Sequence, residues 1–550
     1  MDLAAGRVGE VALPEESAAW LGGRGLAGWL LRREGEWREG RVPLVLAIGP
    51  LAAYGAPCSS RATLASRSPL TGTYFDSSAG GALAARLASC GVAALLIRGR
   101  APGPLVVRVT PGGVLLESAS RVWTATVPEF AAATPSGASF AAIGPAAEHV
   151  LYANVMVDTH HAFGRGGLGR LMAQRNLKAI VVEGPLRSAR PASPKRYRRA
   201  LAAVRRLFTA SPAVKALSRF GTPFLTRIVA WTGALPVRNF AGVRSPDAQR
   251  FDFDDLCAES VERRMRPRSA GCAACPIRCK RRFGDEALPE YETLAMLGAS
   301  CGVADYEAVR AAAALANAHG VDTVSLGGTL ATHFELTNSW PTGRGLVEAV
   351  EDLLRRGNGT EGLEAGAARY AAARDADEAA MCVKGLELPG YDPRAVQGMA
   401  LAYASSTRGG CHLRAYMVAP EILRKPRPLS RTTLSGKAAY LAVLQDRMAA
   451  ADALGVCKFA FLGASEEEYA ELLSAAVGES WGGQDLMRLG AKVYAAEMKT
   501  NAALGFGTAH DTLPERFFRE PLERSGPVDE VAFRDELATL ATVRAADESR

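Results

Sequence analysis

Four cysteines have the spacing of ligands to an iron–sulfur cluster. Cys272, Cys275 and Cys279 form a C-x2-C-x3-C run, and Cys457 follows much later in the chain. Cysteine thiolates hold such clusters, and a buried cluster transfers single electrons. Radical enzymes that use S-adenosylmethionine typically carry the reverse order of spacings, which disfavours that class. Because no second C-x2-C or His-containing hook with the spacing of zinc ligands is present, the pattern favours a cluster over zinc, and zinc over unligated structural cysteines.

Glycine-rich segments in the N-terminal part could bind phosphate. Glycine lets backbone N–H groups approach a ligand closely, and an adjacent arginine binds phosphate bidentately. Three of the four segments contain arginine, which predicts a phosphate-bearing ligand; the segments are Leu21–Leu26, Gly55–Arg61, Asp76–Gly81 and Phe163–Gly169. The letters of Gly164–Gly169 match G-x-G-x-x-G, but no strand–helix context with a downstream acid accompanies them, so a Rossmann domain is rejected.

Two side chains are candidates for proton transfer. His412 lies between glycines and arginines in Arg408–Arg414, where an imidazole could polarise a carbonyl or relay a proton. Glu292 lies in Pro289–Thr293, with Glu290 as the neighbouring alternative. On residue type alone, His412 is more often a hydrogen-bonded polar residue, and both glutamates could be acids that stabilise a helix N-terminus.

Composition indicates a globular protein with several domains in a reducing compartment. A chain of 550 residues is too long for one core, and its ten cysteines do not resemble a secreted disulfide framework. No signal peptide and no apolar run of about 18 residues is evident, which predicts a cytoplasmic protein without a membrane span. The net charge of +8 is dispersed, which disfavours nucleic-acid binding. Dispersed basic charge could help to dock an acidic electron carrier, although a solvated surface is the simpler interpretation.

The periodicity of apolar residues changes near residue 188. Before it, short β-type runs predominate, and they lie at Val42–Ile48, Val92–Ile97, Leu105–Val109 and Ala179–Val182. After the predicted linker Pro191–Lys195, helical periodicity predominates, with helices predicted at Tyr306–His319, Val347–Arg356 and Glu466–Val477. We therefore predict an α+β multidomain fold with a β-rich N-terminal domain (1–187) and two mostly α-helical domains (188–392 and 393–550). The second boundary is placed at the Pro/Gly break Leu386–Pro393.

An ordered series of motifs resembles the aldehyde ferredoxin oxidoreductase family. Each motif is modest alone, but together they span nearly the whole chain in the family's order. Besides the cysteine run, they are Ser59–Gly72, Ser78–Gly81, Gly164–Gly169, Asn176–Ile180, Pro289–Thr293, Gly320–Ser325, Arg408–Arg414, Asp452–Cys457 and Asp511–Arg516.

The resemblance implies a set of cofactors and the residues that hold them. One tungsten, or molybdenum, would be bound by the dithiolenes of two pterins, with a Mg²⁺ ion that could bridge the pterin phosphates. A [4Fe–4S] cluster would be ligated by Cys272, Cys275, Cys279 and Cys457, and His412 and Glu292 would be catalytic. The implied pterin-binding residues are Arg61, Ser78, Gly80, Gly164, Arg165, Gly166, Asp322, Leu326, Asp452 and Gly455. Without the family context, Asp322 is equally well explained as a helix N-cap, and one residue can serve both roles.

The activity that the resemblance implies is oxidation of an aldehyde to a carboxylic acid. Electrons would leave through the cluster to ferredoxin or a similar carrier, and the substrate would be a small aldehyde. Two alternatives are a catalytic subunit of a larger complex that reduces an acid or an aromatic thioester, and a cluster-only electron-transfer subunit. Whether the chain forms a homodimer is left open. Some relatives bridge two subunits through a metal held by Glu-x-x-His pairs, and this sequence contains no such pair.

Overall fold

The chain folds into a β-rich N-terminal part followed by a mostly helical part, which confirms the predicted α+β multidomain class. A computed structural model describes residues 1–38, 40–242, 252–355 and 362–548. Its strands are β1 Leu44–Ile48, β2 Ala62–Arg67, β3 Tyr74–Ala79, β4 Ala94–Ile97, β5 Leu105–Thr110, β6 Gly113–Ser118, β7 Ser139–Ala142, β8 Val155–Val157, β9 His161–Phe163, β10 Leu177–Val182, β11 Arg268–Ala270, β12 Lys280–Phe283, β13 Glu286–Ala287, β14 Cys382–Val383 and β15 Leu386–Glu387.

Of the twenty α-helices in the described residues, four precede β10 and sixteen follow it. They are α1 Gly23–Glu34, α2 Leu83–Ser89, α3 Val127–Ala133, α4 Leu168–Gln174, α5 Pro194–Ala210, α6 Pro212–Phe220, α7 Phe224–Trp231, α8 Ala258–Met265, α9 Tyr291–Thr293, α10 Tyr306–His319, α11 Thr323–Leu336, α12 Gly343–Leu354, α13 Ala367–Ala372, α14 Gln397–Ala404, α15 Val418–Glu421, α16 Ala438–Leu454, α17 Glu466–Val477, α18 Gly483–Ala503, α19 Arg516–Arg519 and α20 Glu530–Glu548. In the described part of the chain, no helix is long and apolar enough to cross a membrane.

Two sheets form the N-terminal part. The four-stranded sheet has the order β3-β2-β1-β4 and is antiparallel throughout. The six-stranded sheet has the order β6-β5-β10-β7-β8-β9, and β5 and β10 are its parallel pair. All five residues of β1 and all six of β10 are buried, because each strand is covered on both faces.

The two parts of the molecule meet where backbone touches backbone. Gly23 at the start of α1 and Gly49 after β1 lie against the C-terminal end of α16, at Asp452 and Leu454. A Cβ atom at either glycine would collide with main-chain atoms of α16. These glycines therefore let the segments around the first sheet pack directly on the helix that precedes Cys457.

Local signals in the sequence predicted several elements correctly. Helices α10 and α17 have the predicted bounds, and α10 ends at Gly320 in the left-handed region (φ +74°). Helix α12 starts earlier than predicted, at Gly343, and ends at Leu354, while Arg356 lies outside the described residues.

The Pro/Gly break at 386–393 is not an exposed linker. All eight residues of this segment are buried, and its first two form β15. The segment instead lies in the interior beside residues discussed below, because Tyr391 contacts the ring of His412. The domain boundary placed there stays a prediction.

Candidate active site

A cavity of about 400 Å³ lies between the β-rich part and the helical part. A volume in this range is typical of small-molecule and cofactor sites. Ser60, Arg61 and Asp76 contribute to its wall from the first sheet, and Glu292, His412 and Asp452 from the helical part. Residues that are distant in the sequence therefore share one chamber.

All four predicted cluster cysteines line this cavity. Cys272, Cys275 and Cys279 lie on the loop that joins β11 to β12, and Cys457 follows α16, which ends at Gly455 with φ +73°. Within the described residues, no three His, Cys, Asp or Glu side chains are close enough to hold a single metal ion. The thiols are thus gathered in one region but are not arranged as a compact one-ion site.

A fifth thiol, which the sequence analysis did not select, lies among these cysteines. Cys58 Sγ is 3.6 Å from Cys275 Sγ, and the Cys58 carbonyl accepts a hydrogen bond from the Cys457 N–H at 2.8 Å. Cys58 belongs to Gly55–Arg61, one of the glycine-dense segments, but its separation from Cys275 by 217 residues gave no spacing signal.

The environments of Cys58 and Cys275 differ in their effect on charge. The pKa of Cys275 is lowered to about 6 by its contact with Cys58 and by the backbone N–H groups of Arg278 and Ile277, although burial opposes this shift. The contact with Cys275 and burial raise the pKa of Cys58 well above that of a free thiol. Burial also raises the pKa of Cys272 to about 11. The lower pKa of Cys275 thus favours its sulfur as the acceptor of this contact and the Cys58 thiol as the donor.

Small residues and arginines form the wall on the sheet side. Arg61 donates to the Ser78 carbonyl, which places its guanidinium beside the end of β3. Gly80 touches Cys272, and a Cβ atom there would collide with the Cys272 sulfur. Gly164 and Arg165 also line the cavity. The predicted glycine and arginine loops therefore lie beside the cysteine loop, and the glycine at position 80 makes that approach sterically allowed.

Asp322 is a helix cap that also faces the cavity. Its carboxylate accepts hydrogen bonds from the N–H groups of Val324 at 3.1 Å and Ser325 at 3.3 Å at the start of α11. The same carboxylate lies 3.3 Å from Arg165 Nε. The structure thus supports the N-cap interpretation, and Asp322 also links α11 to the glycine-rich loop of the sheet part.

Glu292 and His412 are adjacent in the buried part of the cavity. His412 Nε2 lies 3.4 Å from Glu292 Oε1, and the other carboxylate oxygen accepts the Gly390 N–H at 2.8 Å. Burial raises the pKa of Glu292 to about 7 and lowers the pKa of His412 well below its usual value. Near neutral pH, Glu292 can therefore gain or lose a proton while His412 stays neutral.

Three of the predicted pterin-binding residues do not line the cavity. Leu326 is fully buried in α11, Gly455 ends α16, and a Cβ atom at Gly166 would collide with the Phe75 ring. The Gly455 carbonyl accepts a hydrogen bond from the backbone N–H of Arg61 at 3.1 Å, so Gly455 helps to position Arg61, which lines the cavity. Direct contacts of these three residues with a cofactor stay predictions.

A buried ionic network lies under the cavity. Arg24 Nε is 2.6 Å from Glu497 Oε1, Arg414 pairs with Asp76, and Lys458 Nζ is 2.8 Å from Asp452 Oδ2. Arg24 and Arg414 are both fully buried. Sequence analysis named only Asp452 of this set as a candidate site residue, although Arg24 and Asp76 lie in two of the glycine-rich segments. The acid within the apolar strand Tyr74–Ala79 was a signal that it did not use.

Unpaired polar atoms show that the cavity suits a large polar ligand. In the described part of the chain, Asn154 Oδ1, His161 Nε2, Glu292 Oε1 and His412 Nδ1 are buried without a hydrogen-bond partner, and all four residues line the cavity. Buried polar groups are normally paired, so a guest with donors and acceptors would complete them. Thiols on one side, arginines and glycines on another, and an acid–base pair define the chamber of a redox enzyme.

Comparison with known proteins identifies the family. Residues 1–184 match the model for the N-terminal domain of aldehyde ferredoxin oxidoreductase, and residues 199–542 match that for its domains 2 and 3. The chain is 33% identical over 541 residues to the tungsten-containing aldehyde ferredoxin oxidoreductase of Pyrococcus furiosus, covering 92% of this chain and 88% of that protein. The Thermococcus kodakarensis counterpart is 33% identical over 557 residues, covering 95% and 91%. The chain belongs to the aldehyde ferredoxin oxidoreductase family and is an oxidoreductase of that type.

Two more distant proteins are also similar to this chain. An aliphatic sulfonate oxidoreductase, WOR-like subunit, of Pyrococcus furiosus is 24% identical over 379 residues, covering 61% of this chain and 58% of that one. The active-site complex BamBC of benzoyl coenzyme A reductase, solved with 1,5-dienoyl-CoA, superposes with a TM-score of 0.83 at 18% identity, covering 99% of this chain and 93% of that one. This likeness shows a common architecture.

Proposed function

We propose that this protein oxidises aldehydes to carboxylic acids at a tungsten, or molybdenum, bis-pterin centre. Its electrons would pass through a [4Fe–4S] cluster, held by Cys272, Cys275, Cys279 and Cys457, to ferredoxin or a similar carrier. One observation carries the proposal: the four cysteines, the Glu292–His412 pair and the arginine–glycine loops line a single cavity. The tungsten-containing relatives support the metal.

The proposed cofactor residues fit the chemistry of a pterin with a phosphate. Arg61 and Arg165 would bind phosphate oxygens or pterin carbonyl groups, and Gly80 and Gly164 would admit the ligand close to the backbone. Asp322 and Asp452 would accept hydrogen bonds from pterin N–H groups. When bound, the metal–pterin group supplies two-electron oxidation. A Mg²⁺ ion between the pterin phosphates is part of the same proposal.

Glu292 and His412 would manage protons during the reaction. Conversion of RCHO and H₂O to RCOOH releases two electrons and two protons, so a base must accept protons near the aldehyde. Glu292 has the suitable pKa of about 7, and its Oε1 has no hydrogen-bond partner within the described residues. Neutral His412, 3.4 Å away, would orient the substrate oxygen or a water against that carboxylate.

The exposed side of the cysteine loop is the proposed exit for electrons. Ala274, Pro276 and Arg278 are exposed between the cysteines. Helix α5 packs its apolar face on the same hydrophobic cluster as Cys275 and Cys457. The sequence of α5 contains no acidic residue. The outer face of α5 carries six basic residues, which are Lys195, Arg196, Arg198, Arg199, Arg205 and Arg206. Opposite charge would guide an acidic carrier to this face.

Metal analysis combined with activity tests this function. Anaerobically purified protein should contain about four iron atoms, by the composition of a four-cysteine cluster, and one tungsten or molybdenum atom per chain. It should reduce a viologen dye only when an aldehyde is added. Iron without the heavy metal would support the cluster-only subunit instead. Both metals with an acid or aromatic thioester as the only substrate would support the reductase alternative.

A further inference from the structure

Cys58 has a position that none of the four proposed ligands explains. It is 2% exposed, and its sulfur lies 3.6 Å from that of Cys275, within the range of a hydrogen bond between sulfur atoms. Five thiols therefore converge where a [4Fe–4S] cluster has four corners for protein ligands. The additional thiol needs a role other than that of the fourth ligand.

The backbone holds the Cys58 side chain in place. The Cys457 N–H donates to the Cys58 carbonyl at 2.8 Å, and the neighbouring Ser59 hydroxyl donates to the Leu51 carbonyl at 3.0 Å. Cys58 itself has a φ of +60°, a left-handed conformation that is unfavourable for a residue with a Cβ atom. These hydrogen bonds and the burial of Cys58 hold this part of the loop beside Cys275.

We infer that the Cys58 thiol is a hydrogen-bond donor to the Cys275 thiolate and raises the reduction potential of the cluster. A cysteine that binds iron is deprotonated, so in this pair only Cys58 can carry the proton. A hydrogen bond to a cluster sulfur stabilises the reduced cluster most, because the reduced form carries more negative charge. Cys58 is thus a positioning residue that acts through Cys275. The inference rests on the proposed cluster.

The reduction potential of the cluster in the holoenzyme tests this inference. EPR-monitored redox titration of Cys58→Ala should give a more negative potential than the wild type, because the donor is lost. Cys58→Ser keeps a donor and should restore part of the shift. Cys58→Gly also lacks a donor but relieves the left-handed backbone, so it gives a second measurement if the alanine variant does not fold. Cys90→Ala, on a partly buried cysteine outside the cavity, should equal the wild type.

Two results would overturn the inference. One is an unchanged potential in both donor-free variants with a full complement of iron. The other is loss of iron from the Cys58 variants while Cys275→Ala keeps its cluster, because Cys58 would then be the ligand. Wild-type protein without any cluster would instead refute the proposed function, so the two failures are distinguishable by iron content.

Discussion

The adjacent carboxylate and imidazole in the cavity predict that catalysis depends on pH. The pKa of Glu292 is raised to about 7, chiefly by burial and also by Cys411 and Asp322, while the Gly390 N–H and Arg165 oppose the rise. As the pH falls through 7, the carboxylate that accepts protons disappears. We expect kcat to rise with pH up to about 7 and then to level off.

The variant Glu292→Gln should lose this dependence and be slower by about 10²- to 10⁴-fold, the usual contribution of a general base. The measurement is a pH profile of aldehyde-dependent dye reduction. Glu290→Gln is the matched control, because Glu290 pairs with Lys280. This variant should keep the rise of kcat with pH up to about 7. A glutamine variant with the wild-type profile would remove Glu292 from the proton path.

Residue types alone predicted the site only where short spacing was informative. The Cys272–Cys279 run is a local pattern, so its convergence could be predicted without a structure. Cys58 could not, because it is a single cysteine 217 residues away from its neighbour. The pairing of Glu292 with His412 likewise depends on how distant segments pack, and sequence supplied only the two candidates.

At the scale of secondary structure, two aspartate caps can be compared directly. Asp305 caps α10 through the N–H groups of Glu307 and Ala308, and it is exposed. Asp322 caps α11, is buried, and also pairs with Arg165. Their replacement by alanine removes a similar cap in two different environments.

Asp305→Ala should destabilise the protein by about 1 kcal/mol, the cost of a lost cap. Asp322→Ala should cost roughly 1.5–3 kcal/mol more, the contribution of a hydrogen bond to a charged group, because it also removes the carboxylate nearest to the buried Arg165 guanidinium. Denaturant unfolding of both variants under the same conditions measures the difference. Equal midpoints would show that the contact with Arg165 adds nothing to the cap.

Elements with clear termination signals were predictable, and buried irregular segments were not. Helix α10 has an aspartate before it and a glycine after it, and its predicted bounds are correct. The segment at 386–393 contains two prolines and a glycine, which are typical of exposed loops, yet it is wholly buried. Tertiary packing decided its location, because local composition carries no information about which loops are covered.

At the scale of the whole molecule, the basic face of α5 predicts how the protein meets its electron acceptor. The double variant Arg198→Glu/Arg205→Glu should raise the KM for an acidic ferredoxin about tenfold at low ionic strength, since charge steering contributes at least this much. Turnover with saturating viologen should not change. Added salt should raise the wild-type KM for ferredoxin and reduce the difference in KM between the wild type and the double variant.

The matched control replaces two exposed arginines elsewhere with glutamate: Arg344 in α12, and Arg355, the residue that follows α12. These changes alter the net charge equally, so they should leave the KM for ferredoxin near the wild-type value. If both double variants raise the KM for ferredoxin equally, the acceptor responds to the net charge of the protein and not to the basic face of α5.

The arrangement of the two parts of the molecule could not be predicted from their sequences. It depends on Arg24, Asp76, Arg414 and Glu497, which come from four distant segments, and no sequence pattern indicates that these four side chains pair. Only the fold brings these charges together, at the base of the cavity.

This buried set of charges has a consequence for how the enzyme is made. The sheet part and the helices can separate only if several of these ion pairs break together, so thermal fluctuations will rarely open this seam. Under the proposed function, the prosthetic groups would be installed while the polypeptide is still maturing. Once enclosed, they should survive prolonged dialysis against chelators for as long as the protein stays folded.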